Sequence, residues 1–215
     1  MKLLAADTTA AVATVALFDG ENCILELEAD GSRKHAETVA PLIDELLTQT
    51  GTDVNEIDLF AVDVGPGSFT GVRIGVSLIN GMAFALGKKV VPVDALYALY
   101  VACGEAEAPV CAMIDARNGN GYAALYRAGE TLTAPRAVEI EAFLQTLPPE
   151  TVFYGDANTQ TPAYPRAKAV GEAAIKLLDA ARGAAEPVYL RASQAERLKK
   201  RDTEQNRKQK NDGKA

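Results

Sequence analysis

A single histidine, His35, occurs in this chain of 215 residues, and its isolation excludes whole classes of chemistry. A metal site built on two histidines cannot form within one chain. The helical version needs a second imidazole four residues on, and that position is Val39. A Ser-His-Asp hydrolase lacks its parts as well. Ser68 sits in Pro66-Gly67-Ser68-Phe69-Thr70, without the glycine two residues earlier that a nucleophile elbow requires. His35 is therefore read as a helix-start or surface residue. Cysteine is also sparse: Cys23, Cys103 and Cys111 are odd in number and show no CxxC spacing, which suits reduced, buried thiols better than disulfides or zinc ligands.

Familiar phosphate loops are missing too. Gly65-Pro66-Gly67 followed by Gly71 is one residue too long for GxGxxG, and no Lys-Ser/Thr pair follows a glycine at P-loop spacing. A strand-to-helix turn at residues 68–70 still points amides at solvent, which leaves weak anion binding open. The opening MKLLAADTTA holds an apolar run too short for a signal peptide and interrupted by Asp7, and the long apolar stretches contain Arg73 or Asn80. The expectation is a cytoplasmic protein without a membrane partner.

What the chain does contain is enough apolar sequence, 48% of its residues, for one domain or two small ones. The net charge of −7 hides an asymmetry: residues 196–215 hold eight basic and four acidic side chains, a local +4, so the remainder carries −11. A tail so poor in apolar residues is expected to be disordered. Its charge suits RNA phosphates, but the plainer reading, a solvated tail without a specific partner, is preferred on sequence alone.

Residues 3–6, 12–18 and 23–27 read as strands separated by turns. Val39, Leu42, Ile43, Leu46 and Leu47 recur at helical spacing, with Gly51 as a stop, and Pro41 must sit in the early turns or kink the helix. A buried strand at 57–64, a helix through GPGSFTGVRIGVSLINGMAFALG and a short strand at 90–93 come next. LLAADTTAAVATVALF, from Leu3, is then echoed by CAMIDARNGNGYAALY, from Cys111, at a shift of 108, each with an aspartate, Asp7 or Asp115, after its first apolar run. Beyond the echo, 138–147 and 168–182 read as helices around a strand at 151–154.

Two halves that each begin strand, Asp, turn, strand are the arrangement of the α/β fold shared by actin, sugar kinases and heat-shock ATPases. GPGSFTGVRIGVSLINGMAFALG, LLAADTTAAVATVAL, HAETVAPLIDELL, IDARNGNGYAALY, YGDA and PVYLR, in this order, resemble the bacterial TsaB (YeaZ) family over about residues 1–192. The resemblance implies two βββαβα-type lobes, the second truncated: 1–103 with dimerisation helices, a smaller lobe over 104–192, and the basic tail over 193–215. It implies a non-catalytic subunit in the synthesis of threonylcarbamoyladenosine beside the tRNA anticodon. The implied partners are a TsaD-like catalytic subunit, a TsaE-like ATPase and a second copy of the chain, with tRNA met indirectly or through the tail. No cofactor of its own is expected, save an adenine nucleotide at the subunit junction.

Asp7, Thr8, Thr9 and Asp115 are the candidates for vestigial phosphate hairpins. The first turn lacks the glycine that lets backbone approach a phosphate. An autonomous ATP-dependent kinase or ATPase using Asp7 and Asp115 is the rival reading. In the glycine-rich helix, Thr70, Arg73, Ser77 and Asn80 form one polar stripe, and nearly everything else is apolar, so the helix is expected to be covered on several sides. Gly71 and Gly75 cost up to about 1 kcal/mol each relative to alanine and need close packing in return. That packing is either on the chain's own sheet or on another subunit. With the resemblance, the expected docking face is Val39, Leu42, Leu46, Gly71, Gly75, Leu78 and Met82.

Overall fold

In the computed structural model, which describes residues 1–30, 34–104, 106–159 and 162–191, the first half of the chain builds five strands. These are β1 (Lys2–Asp7), β2 (Thr14–Asp19), β3 (Asn22–Glu28), β4 (Leu59–Asp63) and β5 (Lys89–Val93). They form one sheet in the order β3-β2-β1-β4-β5, antiparallel from β1 outward to β3 and parallel from β1 to β5. Because β1 is central, both of its faces are covered. Leu4 and Ala6 join Val15 and Leu17 in one core, while Leu3 and Ala5 join Ala16 and Phe18 in another. This double burial is why the run reads as continuously apolar instead of alternating.

The first face is covered by α1 (His35–Thr50) and α2 (Phe69–Leu86). Both stop at a glycine in the left-handed region, Gly51 at φ 61° and Gly87 at φ 65°, whose amides bond carbonyls of the last turn. Pro41 lies inside α1, in its second turn and on the exposed side.

The second half builds β6 (Val110–Asp115), β7 (Asn120–Arg127), β8 (Glu130–Glu139) and β9 (Val152–Gly155), in the order β8-β7-β6-β9. This is the first sheet's order without its last strand, and β6 begins and ends 108 residues after β1. The sequence echo is thus a structural one, and the molecule has the two-lobed actin-like arrangement with a curtailed second lobe. Between the sheets lies α3 (Ala95–Cys103), apolar nearly all round. Its Leu96, Leu99 and Tyr100 pack on Val110, Ala112 and Tyr126 of the second sheet, and Ala98 packs on Val91 and Val93 of the first.

Two expected helices are corrected. Only α4 (Ile140–Leu144) forms within 138–147, because residues 130–139 are strand β8. That strand is an edge strand, largely exposed, with Pro135 inside it, so it lacks the apolar alternation that announces a strand. In 168–182 the helix α5 (Ala167–Lys176) ends early, a short 3-10 turn follows at Leu178–Ala180, and Arg182 pairs its backbone with Val90 of β5. The α5 helix leaves the second lobe to pack on the first sheet. A Cβ on Gly171 would lie 2.1 Å from the Phe18 ring, so this position needs glycine to let helix and sheet meet. The expected boundary at 103/104 falls between α3 and β6, yet the chain beyond it is shared by both lobes. The basic tail lies outside the described residues.

Candidate functional site

The first hairpin is built where β1 ends. Asp7 and Thr8 are fully buried and Thr9 is nearly so. Asp7 Oδ1 accepts from the Thr9 amide at 2.8 Å and from the Thr9 hydroxyl at 2.7 Å, an Asx turn that closes the strand end. The same Thr9 Oγ1 lies 3.1 Å from Oδ2 of Asp63, the last residue of β4, while Asp63 Oδ1 accepts from the Gly65 amide at 2.7 Å. Burial pushes the Asp7 carboxyl up to about 6, with the Thr9 hydrogen bonds pulling the other way. Burial and the neighbouring Asp7 raise Asp63 well above the usual carboxylate range. Asp94, which caps α3 by accepting from the Leu96 and Tyr97 amides, is likewise raised by burial to about 6. Asp63 and Asp94 are absent from the residues that sequence reasoning singles out, and no motif spacing marks them.

Thr8 explains Gly71 and Gly75 of α2. Its hydroxyl donates to the Gly71 carbonyl at 2.7 Å. A Cβ on Gly71 would come within 1.9 Å of the Thr8 carbonyl oxygen, and one on Gly75 within 2.4 Å of the Thr8 hydroxyl. The notch is therefore filled by the chain's own hairpin. Of the expected docking face, Gly71 and Gly75 serve the close packing of α2 against β1, and Val39, Leu42 and Leu46 are buried in the core beneath α1. Leu78 and Met82 are only half-buried and remain at the surface.

Between the lobes lies a cleft of about 760 Å³. Of the hairpin candidates, Thr9 and Asp115 line it, joined by His35, Ser68, Arg117 and Asp156. Asp7 and Thr8 lie beneath. Ser68 caps α2 by accepting from the Gly71 amide at 3.2 Å, and its own amide donates to the Thr9 carbonyl at 2.9 Å. His35 is the first residue of α1; it is buried, and Nε2 lies 3.0 Å from the Ala10 carbonyl, so that nitrogen carries a proton and donates. Across the cleft, Asp115 is exposed. Its amide donates to Asp156 Oδ1 at 2.7 Å and its Oδ1 accepts from the Arg117 amide at 2.8 Å.

The outer side of α2 differs in character. Phe84 is 86% exposed, and Ser77, Gly81 and Ala85 are exposed with it, while Ile74, Leu78 and Met82 are half-buried. Helical spacing puts Phe84 two turns beyond Ser77, at the end of the stripe that reads as polar. An apolar ring closing a polar stripe was the signal available in the sequence. Arg73, higher on the stripe, stacks over Phe69 at 4.0 Å and donates to the Tyr189 hydroxyl at 2.9 Å. The late segment containing PVYLR is thereby held on α2, where Asn80 exchanges two hydrogen bonds with the Ala185 backbone and the Val188 amide reaches the Val64 carbonyl. By length and composition α2 also meets the standard of a membrane span, despite Arg73 and Asn80, but here Val72, Val76, Ile79 and Ala83 are packed in the core.

Residues 29–170 match the model of the family described as TsaD, tRNA N6-adenosine threonylcarbamoyltransferase. The chain belongs to this family. Its relatives include proteins described as tRNA threonylcarbamoyladenosine biosynthesis protein TsaB. The one from Haemophilus influenzae is 38% identical over 57% of this chain and 52% of its own length, and the one from Escherichia coli is 33% identical over 60% and 57%. The chain thus spans about half the length of the curated relatives it matches. A solved structure of YeaZ from Pseudomonas aeruginosa superposes with a TM-score of 0.71 at 29% identity, covering 88% of this chain and 99% of that one. The TsaB (YeaZ) resemblance and the actin-like fold expected from the sequence both hold.

Proposed function

We propose that this family member is an accessory, non-catalytic subunit in the synthesis of threonylcarbamoyladenosine in tRNA, and that it docks a TsaD-like catalytic subunit through the outer stripe of α2. The names of the TsaB relatives support the pathway. The observation that carries the docking role is Phe84, a large apolar side chain left 86% exposed on a stripe of α2 that it shares with exposed Ser77 and Gly81. Small residues at Ser77, Gly81 and Ala85 flank it and let a partner helix come close. The non-catalytic part of the reading rests on the absence of a second histidine from the whole sequence and on Asp7, which an autonomous ATPase would need at the cleft and which is instead sealed beneath it. On this reading a second copy of the chain competes for the same stripe when the catalytic partner is missing. A TsaE-like ATPase and an adenine nucleotide at the subunit junction complete the proposed assembly.

Titration calorimetry of purified chain with the TsaD relative from the same source tests the stripe. Phe84→Asp is expected to weaken the complex at least tenfold, about 1.4 kcal/mol, while the melting temperature of the isolated chain stays unchanged. Unaltered affinity would remove the stripe from the interface.

A further inference from the structure

We propose that Asp63 is held as a neutral carboxylic acid that donates its proton to Thr9 Oγ1, which donates in turn to the Asp7 carboxylate, so that one proton latches the loop after β4 to the first hairpin. Thr9 Oγ1 owns one proton but sits within hydrogen-bond distance of two carboxyl oxygens, Asp7 Oδ1 at 2.7 Å and Asp63 Oδ2 at 3.1 Å. Only one of these contacts can be a donation by Thr9. The other requires a proton on the carboxyl.

The partners decide which carboxyl holds it. Asp7 Oδ1 receives both the Thr9 hydroxyl and the Thr9 amide, the pattern of an oxygen carrying charge. Asp63 Oδ1 accepts from the Gly65 amide, which leaves Oδ2 free to bear hydrogen. Asp7 Oδ2 is buried without a hydrogen-bond partner, so a second full negative charge in this pocket would be poorly compensated. The surrounding charges agree. Asp94, at the start of α3, adds negative potential on the Asp63 side, and His35, at the start of α1, favours charge on Asp7. The shared proton is mechanical in its effect. Asp63 holds the Gly65 amide, the Thr9 carbonyl holds the Ser68 amide, and Thr8 holds the Gly71 carbonyl, so hairpin, loop and first turn of α2 form one hydrogen-bonded block.

Such a latch gives stability a pH dependence of definite sign. A carboxyl raised on folding contributes stability that is present at low pH and lost as pH climbs through its folded-state value. Asp7 and Asp94, raised to about 6, exhaust their share just above that pH. A decline that continues beyond it and disappears in Asp63→Asn belongs to Asp63. Thermal melting of the isolated chain at about pH 6.5 and about pH 8.5 is therefore expected to show a loss of about 3 °C or more in the native protein. Asp63→Asn, whose amide keeps both contacts of a neutral acid at every pH, is expected to melt no lower than the native protein at the lower pH and at the same temperature at both.

Infrared difference spectra supply a readout that packing alone does not move. The native chain at about pH 8 is expected to show the carbonyl stretch of a protonated carboxyl, and Asp63→Asn to lack it. Absence of that band from the native chain overturns the proposal without any variant, and so does its survival in Asp63→Asn. A pH slope abolished by Asp7→Asn but kept by Asp63→Asn overturns the assignment of the proton.

Discussion

The two lobes share a strand order and each ends its first strand in an aspartate, Asp7 or Asp115, 108 residues apart, but the two carboxyls live in opposite surroundings. Asp7 is sealed and Asp115 opens onto the cleft. The difference does not lie in the hairpins themselves, since both aspartates make the same turn, accepting from the amide two residues on. It lies in the route the chain takes after the fourth strand of each lobe. In the first lobe β4 runs through a glycine loop into α2, which presses Gly71 and Gly75 onto Thr8 and closes the hairpin from above. In the second lobe the element that follows β9 is α5, which departs for the first sheet. Its hairpin stays uncovered. Equal topology thus yields one buried acid network and one accessible carboxylate, according to which lobe the next helix serves.

Three substitutions probe that contrast. The largest effect is expected from Gly71→Ala, because the added carbon meets a backbone carbonyl that cannot yield; a loss of about 3 kcal/mol in urea unfolding is expected even after alanine's better helix propensity. A Gly71→Ala chain as stable as the native one would mean that α2 does not close the hairpin. Asp7→Ala comes next, at about 2 kcal/mol, since it strips the Thr9 amide and hydroxyl of their buried acceptor. Asp115→Ala should cost less than about 1 kcal/mol, as water can replace the one bond it accepts from Arg117. If the same unfolding curves give Asp115→Ala a loss equal to that of Asp7→Ala, the asymmetry between lobes disappears. The Phe84→Asp and Asp63→Asn tests address the first lobe's outer and inner surfaces in the same spirit.

Much of the fold is legible in the sequence because it is local. Turn residues and apolar runs place β1, β2 and β3; the spacing of Val39, Leu42 and Leu46 and the stop at Gly51 place α1; the echo from Cys111 onward anticipates the second sheet. The strand β8 gives no such signal, because an exposed edge strand has no face to make apolar. The site is less legible. The echo pairs Asp7 with Asp115, but their difference in burial depends on α2 and α5, each far along the chain from the hairpin it covers or leaves bare. Gly71 and Gly75 announce close packing by their cost alone; that Thr8 fills the space instead of another subunit is a matter of where the hairpin lies once the sheet has formed.

By itself, then, the sequence determined the elements of the first lobe, the duplication and the exclusion of a two-histidine site within the chain, since these follow from residue type and short-range periodicity. Tertiary structure alone decided that Asp7, Asp63 and Thr9 share a buried network and that Phe84 is left outside, because both outcomes depend on which distant surfaces α2 and α5 come to cover.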